Sequence, residues 1–390
     1  MSSHSLISLK LTRLKILHLT TFLQGGAGKI VLDLAKRSKV RGMSVTVGFT
    51  KNSVEGYCNY SSHLKDLKDA DINQIEFNST FDRKNQEITR SANFLLNKFQ
   101  DNPPDIIHCH AANPSRIAIE FRSLLNSMIP ILQTMHGWGI HKTPEQEKDD
   151  IETFKQIDHL IMVSRSSVDL LRKRGFDVTS SIIYNGIEDF KPSSESIDKD
   201  LLKIRKLKHD GFFIIGIVGT LGKNKNQLFV LEMIKTLPRE IKVKFIFVGE
   251  GKIDRINDFV NSHLLYDRVN FLGYKDNGSE FIASFDLLLC PSKSEGFPIT
   301  LMEAFSTKTL VLASNIPEHM EAITDEITGF SFESDDIPDL KEKIIRIYQM
   351  ENSDKITSTA YKFFTDNFSF EKSFAEYEKI YEQLTNLKRS

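Results

Sequence analysis

Short apolar runs alternate with amphipathic stretches along the whole chain. Residues 14–19, 45–49, 106–109, 129–133, 159–163 and 181–184 read as strands, and so do 212–218, 243–248, 269–271, 286–290 and 310–313. Most are apolar at successive positions, as strands covered on both faces are. Helical spacing fills the intervals. Ile30, Leu34 and Ala35 share one face of 29–40, and Ile88, Ala92, Leu95 and Phe99 share one face of 86–99. A further helix is expected over 117–125. Strands and helices in alternation predict parallel sheets with helices on both sides. The alternation pauses at Lys191 to Ser196 (KPSSES), a linker composition, and then restarts. A chain of 390 residues exceeds what one core usually supports, so two α/β domains are expected, 1–190 and 197–368. Phe374, Tyr377, Tyr381 and Leu384 mark a closing amphipathic helix over about 370–390.

One stretch, 285–329, carries most of the chemistry. A buried strand over 286–290 is followed by a polar turn. Pro298 stands where a first helical residue gives up no hydrogen bond. Residues 299–305 form an apolar helix interrupted by Glu303, and 310–313 is the next strand. The turn therefore lies at the carboxyl end of a parallel strand, where open α/β sheets bind ligands. A helix N-terminus offers free N–H groups and partial positive charge, a seat for phosphate. Glu295 and Glu303, eight positions apart, bracket that seat. A carboxylate repels phosphate, so each suits hydroxyl groups instead. Phosphate in the middle and hydroxyls at both ends describe a nucleotide sugar. Taken singly, Glu295 also reads as a solvated loop acid and Glu303 as a helix-face charge.

Other constellations are less specific. Gly25-Gly26-Ala27-Gly28 follows a strand and opens a helix, which suits close backbone approach to phosphate or sugar, and equally a plain tight turn. The glycine spacing is wrong for a dinucleotide fingerprint, and the second strand ends in Thr50-Lys51 instead of an acid, which disfavours NAD. His108, His110 and His136 lie at or just after strand ends. They form no H-x-x-x-H pair and have no evident carboxylate partner, so no metal is expected. Asp69-Ala70-Asp71 sits in a charged stretch, KDLKDAD, and reads as solvated surface.

The stretch S-E-G-F-P-x-x-x-x-E-A resembles the donor-binding signature of glycosyltransferase family 4, retaining enzymes of the GT-B fold. The likeness continues through Asn315-Ile316-Pro317-Glu318 and Gly329-Phe330 and covers nearly the whole chain. It implies two facing Rossmann-like domains with a cleft between them, the closing helix returning to the first. It implies transfer of a sugar from a nucleoside diphosphate sugar (a UDP- or GDP-sugar) to an acceptor hydroxyl, with retention. The leaving diphosphate then helps deprotonate the acceptor on the same face. By resemblance, Glu295 holds donor-sugar hydroxyls and Glu303 the ribose. Lys225 neutralises the diphosphate, and His136 contacts the donor sugar and stabilises charge at the reacting centre. Gly25 and Gly26 lie beside the donor phosphates and acceptor. Gly296, Phe297, Thr300 and Leu301 belong to the donor site, and His110 is a weaker candidate for the acceptor side. Phe247-Val248-Gly249-Glu250-Gly251 resembles the family's glycine turn near the base, with Glu250 structural. Where the family carries an arginine, this chain has Thr220, which removes one phosphate-facing charge. Lys223 is a candidate substitute. Two alternatives stay open: a nucleotide-sugar-binding subunit without turnover, suggested by Thr220, and an epimerase of similar fold, against which the spacing of the two glutamates speaks.

Composition adds boundaries. A net charge of −1 gives no reason to expect nucleic acid as a partner. Cys58, Cys109 and Cys290 show no metal spacing, and reduced thiols in a cytoplasmic protein account for them. The first residues, MSSHSLISLKLTRLK, make no convincing signal peptide. Lys29, Lys36, Arg37, Lys39 and Arg41 load the first helix with positive charge, which suits either a solvated face or peripheral contact with an anionic membrane at its inner face. The acceptor that the resemblance leads one to expect is a glycan or lipid-linked molecule, in bacterial surface-glycan synthesis.

Overall fold

Each half of the chain builds one parallel sheet. The structure, a computed structural model, describes residues 14–51, 57–138, 142–177, 179–192, 198–251 and 254–386. The expected absence of a signal peptide, most of the KPSSES linker and the last four residues of the expected closing helix fall outside these. In the first sheet, β1 (Lys15–Leu19), β2 (Ser44–Thr50), β3 (Asn73–Phe77), β4 (Ile106–Cys109), β5 (Ile131–Met135), β6 (His159–Met162) and β7 (Ser181–Ile182) lie in the order β3-β2-β1-β4-β5-β6-β7. In the second, β8 (Phe213–Val218), β9 (Val243–Val248), β10 (Val269–Phe271), β11 (Leu287–Cys290), β12 (Leu310–Ser314) and β13 (Phe330–Phe332) follow the order β10-β9-β8-β11-β12-β13. The strand order reverses at β1/β4 and at β8/β11. These are the switch points where neighbouring loops part and leave room for a ligand.

β4, β5, β11 and β12 are buried at every position, which is why they are mostly apolar, with His108, Gln133, Thr134 and Ser314 as buried polar exceptions. β3 is different. Only Ile75 and Phe77 are buried, the other residues are exposed, and the strand lies at the sheet edge, so its composition carries no strand signal. β13, three residues at an edge of the second sheet, has no counterpart among the expected strands. Side chains on the second sheet pack tightly: a Cβ on Gly216 would fall 1.9 Å from Phe285 Cδ2, so alanine there must displace a buried ring.

Four helices carry or adjoin the candidate residues: α1 (Gly25–Val40), α2 (Gln227–Thr236), α3 (Ile299–Ser306) and α4 (Phe370–Asn386). α1 begins four residues earlier than its apolar spacing predicts, so the glycines form its first turn instead of a preceding loop. α3 begins one residue later than expected. Pro298, with ψ of 95°, caps the helix, and Ile299 is its first residue. The chain divides into two units. One runs to Asn185 and resumes at Ser373, and the other is Gly186–Lys372. α4 thus supplies Phe374, Tyr377 and Tyr381, all buried, to the first unit.

Candidate active site

In the second unit, three loops leave the carboxyl ends of β8, β9 and β11. The β8 loop is held by close backbone fit. Gly219 has φ of +140°, and a Cβ on Gly249 would lie 2.0 Å from the Gly219 carbonyl oxygen. A Cβ on Gly251 would lie 2.0 Å from that of Leu221. The Leu221 N–H donates to the Glu250 carbonyl at 2.8 Å, so the expected structural role at 250 belongs to its backbone. Gln227, at the start of α2, clamps the loop from both ends. Its amide donates to the Thr220 carbonyl and accepts from the Gly222 N–H, each at 3.0 Å. Thr220 and Lys223 are exposed, and Lys223 has no ion-pair partner among the described residues.

The β8 and β11 loops are joined. The Asn224 side chain donates to the Ser294 carbonyl at 2.7 Å, and the Lys293 N–H donates to the Asn224 carbonyl at 2.8 Å. This brings Lys225 Nζ to 2.6 Å from Glu295 Oε1, with side chains 25% and 13% exposed. Burial works against both charges. The Lys225 charge and hydrogen bond outweigh it and, with Ser292, hold the Glu295 carboxyl below its usual range. In the same way Glu295 outweighs burial at Lys225 and raises the ammonium above its ordinary value. Both groups are therefore ionised at neutral pH.

The remaining expected donor residues divide by exposure. Gly296 and Thr300 are half-buried. Glu303 is half-buried and accepts from Ser279 Oγ at 3.2 Å. Phe297 and Leu301 are core residues. The Phe297 ring lies 5.2 Å from that of Phe368, while Leu301 is fully buried and its N–H donates to the Pro298 carbonyl. Their side chains face the core of the second unit, so any part they take at the site falls to the backbone.

In the first unit, Gly25 has φ of +58° with open space where a Cβ would stand, and Gly26 is exposed. Gly28 serves packing: its Cβ would fall 2.6 Å from the Leu23 carbonyl carbon. His110 and His136, read separately from the sequence, are hydrogen-bonded, with His110 Nδ1 3.1 Å from His136 Nε2. His18, hidden in the apolar run of β1, joins them: its Nδ1 is 3.0 Å from His110 Nε2. His108 lies alongside with both nitrogens engaged, Nδ1 with Tyr381 Oη and Nε2 with Thr134 Oγ1, each at 2.8 Å. Burial lowers the pKa of His18 to about 3 and that of His136 to about 4. It also takes His108 and His110 well below the ordinary value, helped by their imidazole neighbours. Nitrogens of His18, His108 and His110 lie within 4.8 Å of one another. All of them except His18 Nε2 take part in these hydrogen bonds, so an ion held here would have to displace them.

The basic face of α1 is largely compensated. Lys29 pairs with Asp33, Lys36 with Asp66, Lys39 with Asp71 and Arg41 with Glu378. Asp71 is 97% exposed, and Asp69 is exposed as well. No helix among the described residues is long and apolar enough to cross a membrane.

Comparison with known proteins agrees with this architecture. Residues 24–189 match the family model "Glycosyltransferase Family 4", and 198–363 match "Glycosyl transferases group 1". An O-antigen biosynthesis glycosyltransferase of Escherichia coli, WclY, is 26% identical over 72% of this chain and 79% of its own length. The N-acetyl-alpha-D-glucosaminyl L-malate synthase of Bacillus anthracis is 25% identical over 92% of this chain and 93% of its own. The crystal structure of Anabaena HepE in complex with UDP-glucose superposes with a TM-score of 0.80 at 19% identity, over 95% of this chain and 100% of that one. A likeness of that extent shows the two-domain α/β GT-B fold.

Proposed function

The chain belongs to glycosyltransferase family 4 and is a sugar-transferring enzyme, and we propose that it moves a sugar, with retention, from a UDP- or GDP-sugar to a hydroxyl of a glycan or lipid-linked acceptor in surface-polysaccharide synthesis. The observation that carries this reading is the Lys225–Glu295 pair beside the N-terminus of α3. A cation and a helix N-terminus suit a diphosphate, and a carboxylate next to them suits sugar hydroxyls. As the donor enters, the diphosphate draws on Lys225, and Glu295 turns its oxygens to the sugar. The bond from the anomeric carbon to the phosphate oxygen breaks, a bond to the acceptor oxygen forms on the same face, and the acceptor proton passes to the leaving phosphate. Lys225 and the α3 N–H groups stabilise the charge on that leaving group. Glu303 is assigned to the ribose, with Gly296 and the backbone at Thr300 beside the phosphates. Exposed Lys223 stands in for the charge absent at Thr220. In the first unit, His136 is assigned to the donor sugar, Gly25 and Gly26 to close backbone approach, and His110 acts through His136.

The reaction needs no divalent ion in this reading, because cationic groups stand where an ion would work and Glu295 is already committed to a lysine. We place the enzyme on the cytoplasmic side, where its three cysteines, none of them in a disulfide, are at home. Contact with an anionic membrane through α1 is weak and salt-sensitive, given how many of its cations are paired. The test is a panel of UDP- and GDP-sugars against the purified chain, read first by thermal shift and then by transfer in the presence of EDTA. A ligand at about 100 times its dissociation constant adds about 2.7 kcal/mol of stability. If no member of either series raises the melting temperature or is turned over, the donor class is wrong. Activity lost to EDTA and restored by manganese would overturn the metal-free mechanism.

A further inference from the structure

His18, His110 and His136 form a chain of imidazoles in which every link joins a δ nitrogen to an ε nitrogen. His18 Nδ1 meets His110 Nε2 at 3.0 Å, and His110 Nδ1 meets His136 Nε2 at 3.1 Å. The two outer nitrogens, His18 Nε2 and His136 Nδ1, are buried and have no hydrogen-bond partner among the described residues. A neutral imidazole has one N–H and one lone pair. Each link needs one of each, so the three rings cannot choose independently. If one carries its proton on Nδ1, all three do, and likewise for Nε2. A mixed set breaks a link by setting two N–H groups or two lone pairs face to face.

The ends decide between the two forms. In the Nε2–H form the surplus donor is on His18, which is fully buried. In the Nδ1–H form the surplus donor is His136 Nδ1, an atom buried as well but on a residue that is only half-buried, and His18 keeps only an unused lone pair. Each form leaves one N–H without a partner, and an orphaned N–H costs less at the half-buried His136, which a substrate oxygen can reach, than at the fully buried His18. We propose that His18 and His110 are positioning residues that lock His136 in its Nδ1–H tautomer, so that His136 presents a hydrogen-bond donor, and no acceptor, to an oxygen of the substrate. The depressed pKa values of the three rings keep them neutral at neutral pH, which is the one-proton-per-ring count used here. His108 takes no part: its nitrogens are spent on Tyr381 and Thr134. The role at the substrate rests on the assignment of His136 to the donor sugar, whereas the tautomer rests on geometry alone.

The experiment separates the two. A proton–nitrogen correlation spectrum of the full chain with isotope-labelled histidine, recorded near neutral pH, reports the tautomer of each ring. Nδ1–H on His18, His110 and His136 is expected. Nε2–H on His136, or unlike tautomers within the three, overturns the proposal. His110→Leu should release His136 to a mixture of tautomers and lower the transfer rate by roughly tenfold to a hundredfold, with little change in nucleoside diphosphate affinity. His110→Asn, whose amide reaches the Nδ1 position, should restore much of the rate. A folded His110→Leu protein whose His136 signals do not move refutes the lock. If the tautomers are as stated but no nucleotide sugar is turned over, the relay stands and the donor assignment falls.

Discussion

Lys225 Nζ lies 2.6 Å from Glu295 Oε1, so the lysine assigned to the diphosphate and the carboxylate assigned to the sugar hold one another. The pair fixes what each substitution does. Glu295→Ala removes the partner that competes with phosphate for Lys225. Nucleoside diphosphate affinity should therefore stay the same or rise, while transfer collapses, because a loosely held sugar no longer presents its anomeric carbon. The uncompensated lysine should reduce stability by less than about 3 kcal/mol, since a quarter of its side chain reaches solvent. Calorimetry beside a transfer assay checks this, and a marked loss of nucleoside diphosphate affinity in Glu295→Ala would reverse the assignment.

Glu303 should fail differently. The ribose it is assigned to is present in both the donor and the free nucleoside diphosphate. Glu303→Ala should weaken both ligands alike, by about 1.5–3 kcal/mol for hydrogen bonds to a charged group. Parallel titrations of the two ligands on the wild type and the variant decide it. A loss confined to the sugar-bearing ligand assigns Glu303 to the sugar instead.

Thr220 tests the altered phosphate loop. Its side chain is exposed, and the loop's shape is set by Gln227, Gly249 and Gly251. Thr220→Arg should thus leave the backbone in place and keep or improve donor affinity, with a gain of up to about 1.5 kcal/mol for one charge-assisted bond. Gly249→Ala is the contrast. Its methyl meets the Gly219 carbonyl and should disrupt donor binding. A folded Thr220→Arg that binds more weakly would show a loop rebuilt around threonine.

The fold was legible where burial is two-sided. β4, β11 and β12 announce themselves because they are almost wholly apolar and every residue is covered. β3 was not, because an edge strand with polar residues on its open face looks like a loop. Glu295 and Lys225 each stand out in the sequence as candidate site residues. Their pairing does not, because 70 positions separate them and nothing in local spacing encodes it. Phe297 and Leu301 are named by the motif, and only the structure shows their side chains to be buried, since a motif says which residue types recur and not which way they point. His18 was missed for the converse reason: one polar residue inside an apolar strand reads as an exception, and only the sheet register beside β4 brings it to His110.

The basic helix offers a further check. Four of its cations are already paired, at separations up to 3.7 Å. Retention on anionic vesicles should be modest and released by salt, because surface attraction is screened within about 10 Å at 0.1 M ionic strength. Equal retention on neutral vesicles, or none on either, assigns the face to solvent.

The histidine cluster should make the first unit acid-labile above the range where carboxylates titrate. Burial depresses the folded pKa of His18 from 6.5 to about 3 and of His136 to about 4, and lowers His108 and His110 as well. Between those folded values and 6.5 the unfolded chain binds protons that the folded chain refuses. Stability therefore rises with pH through this window and levels off above 6.5. One pH unit below 6.5, a fully buried neutral ring such as His18 costs about 1.4 kcal/mol. The melting temperature should fall steadily from pH 6.5 towards pH 4. In a folded His18→Leu variant the fall should be shallower, since one of the refused protons is gone. A melting temperature flat across that window, or a variant with the wild-type slope, would mean that the rings take up protons in the folded state and that their burial is less complete than the structure indicates.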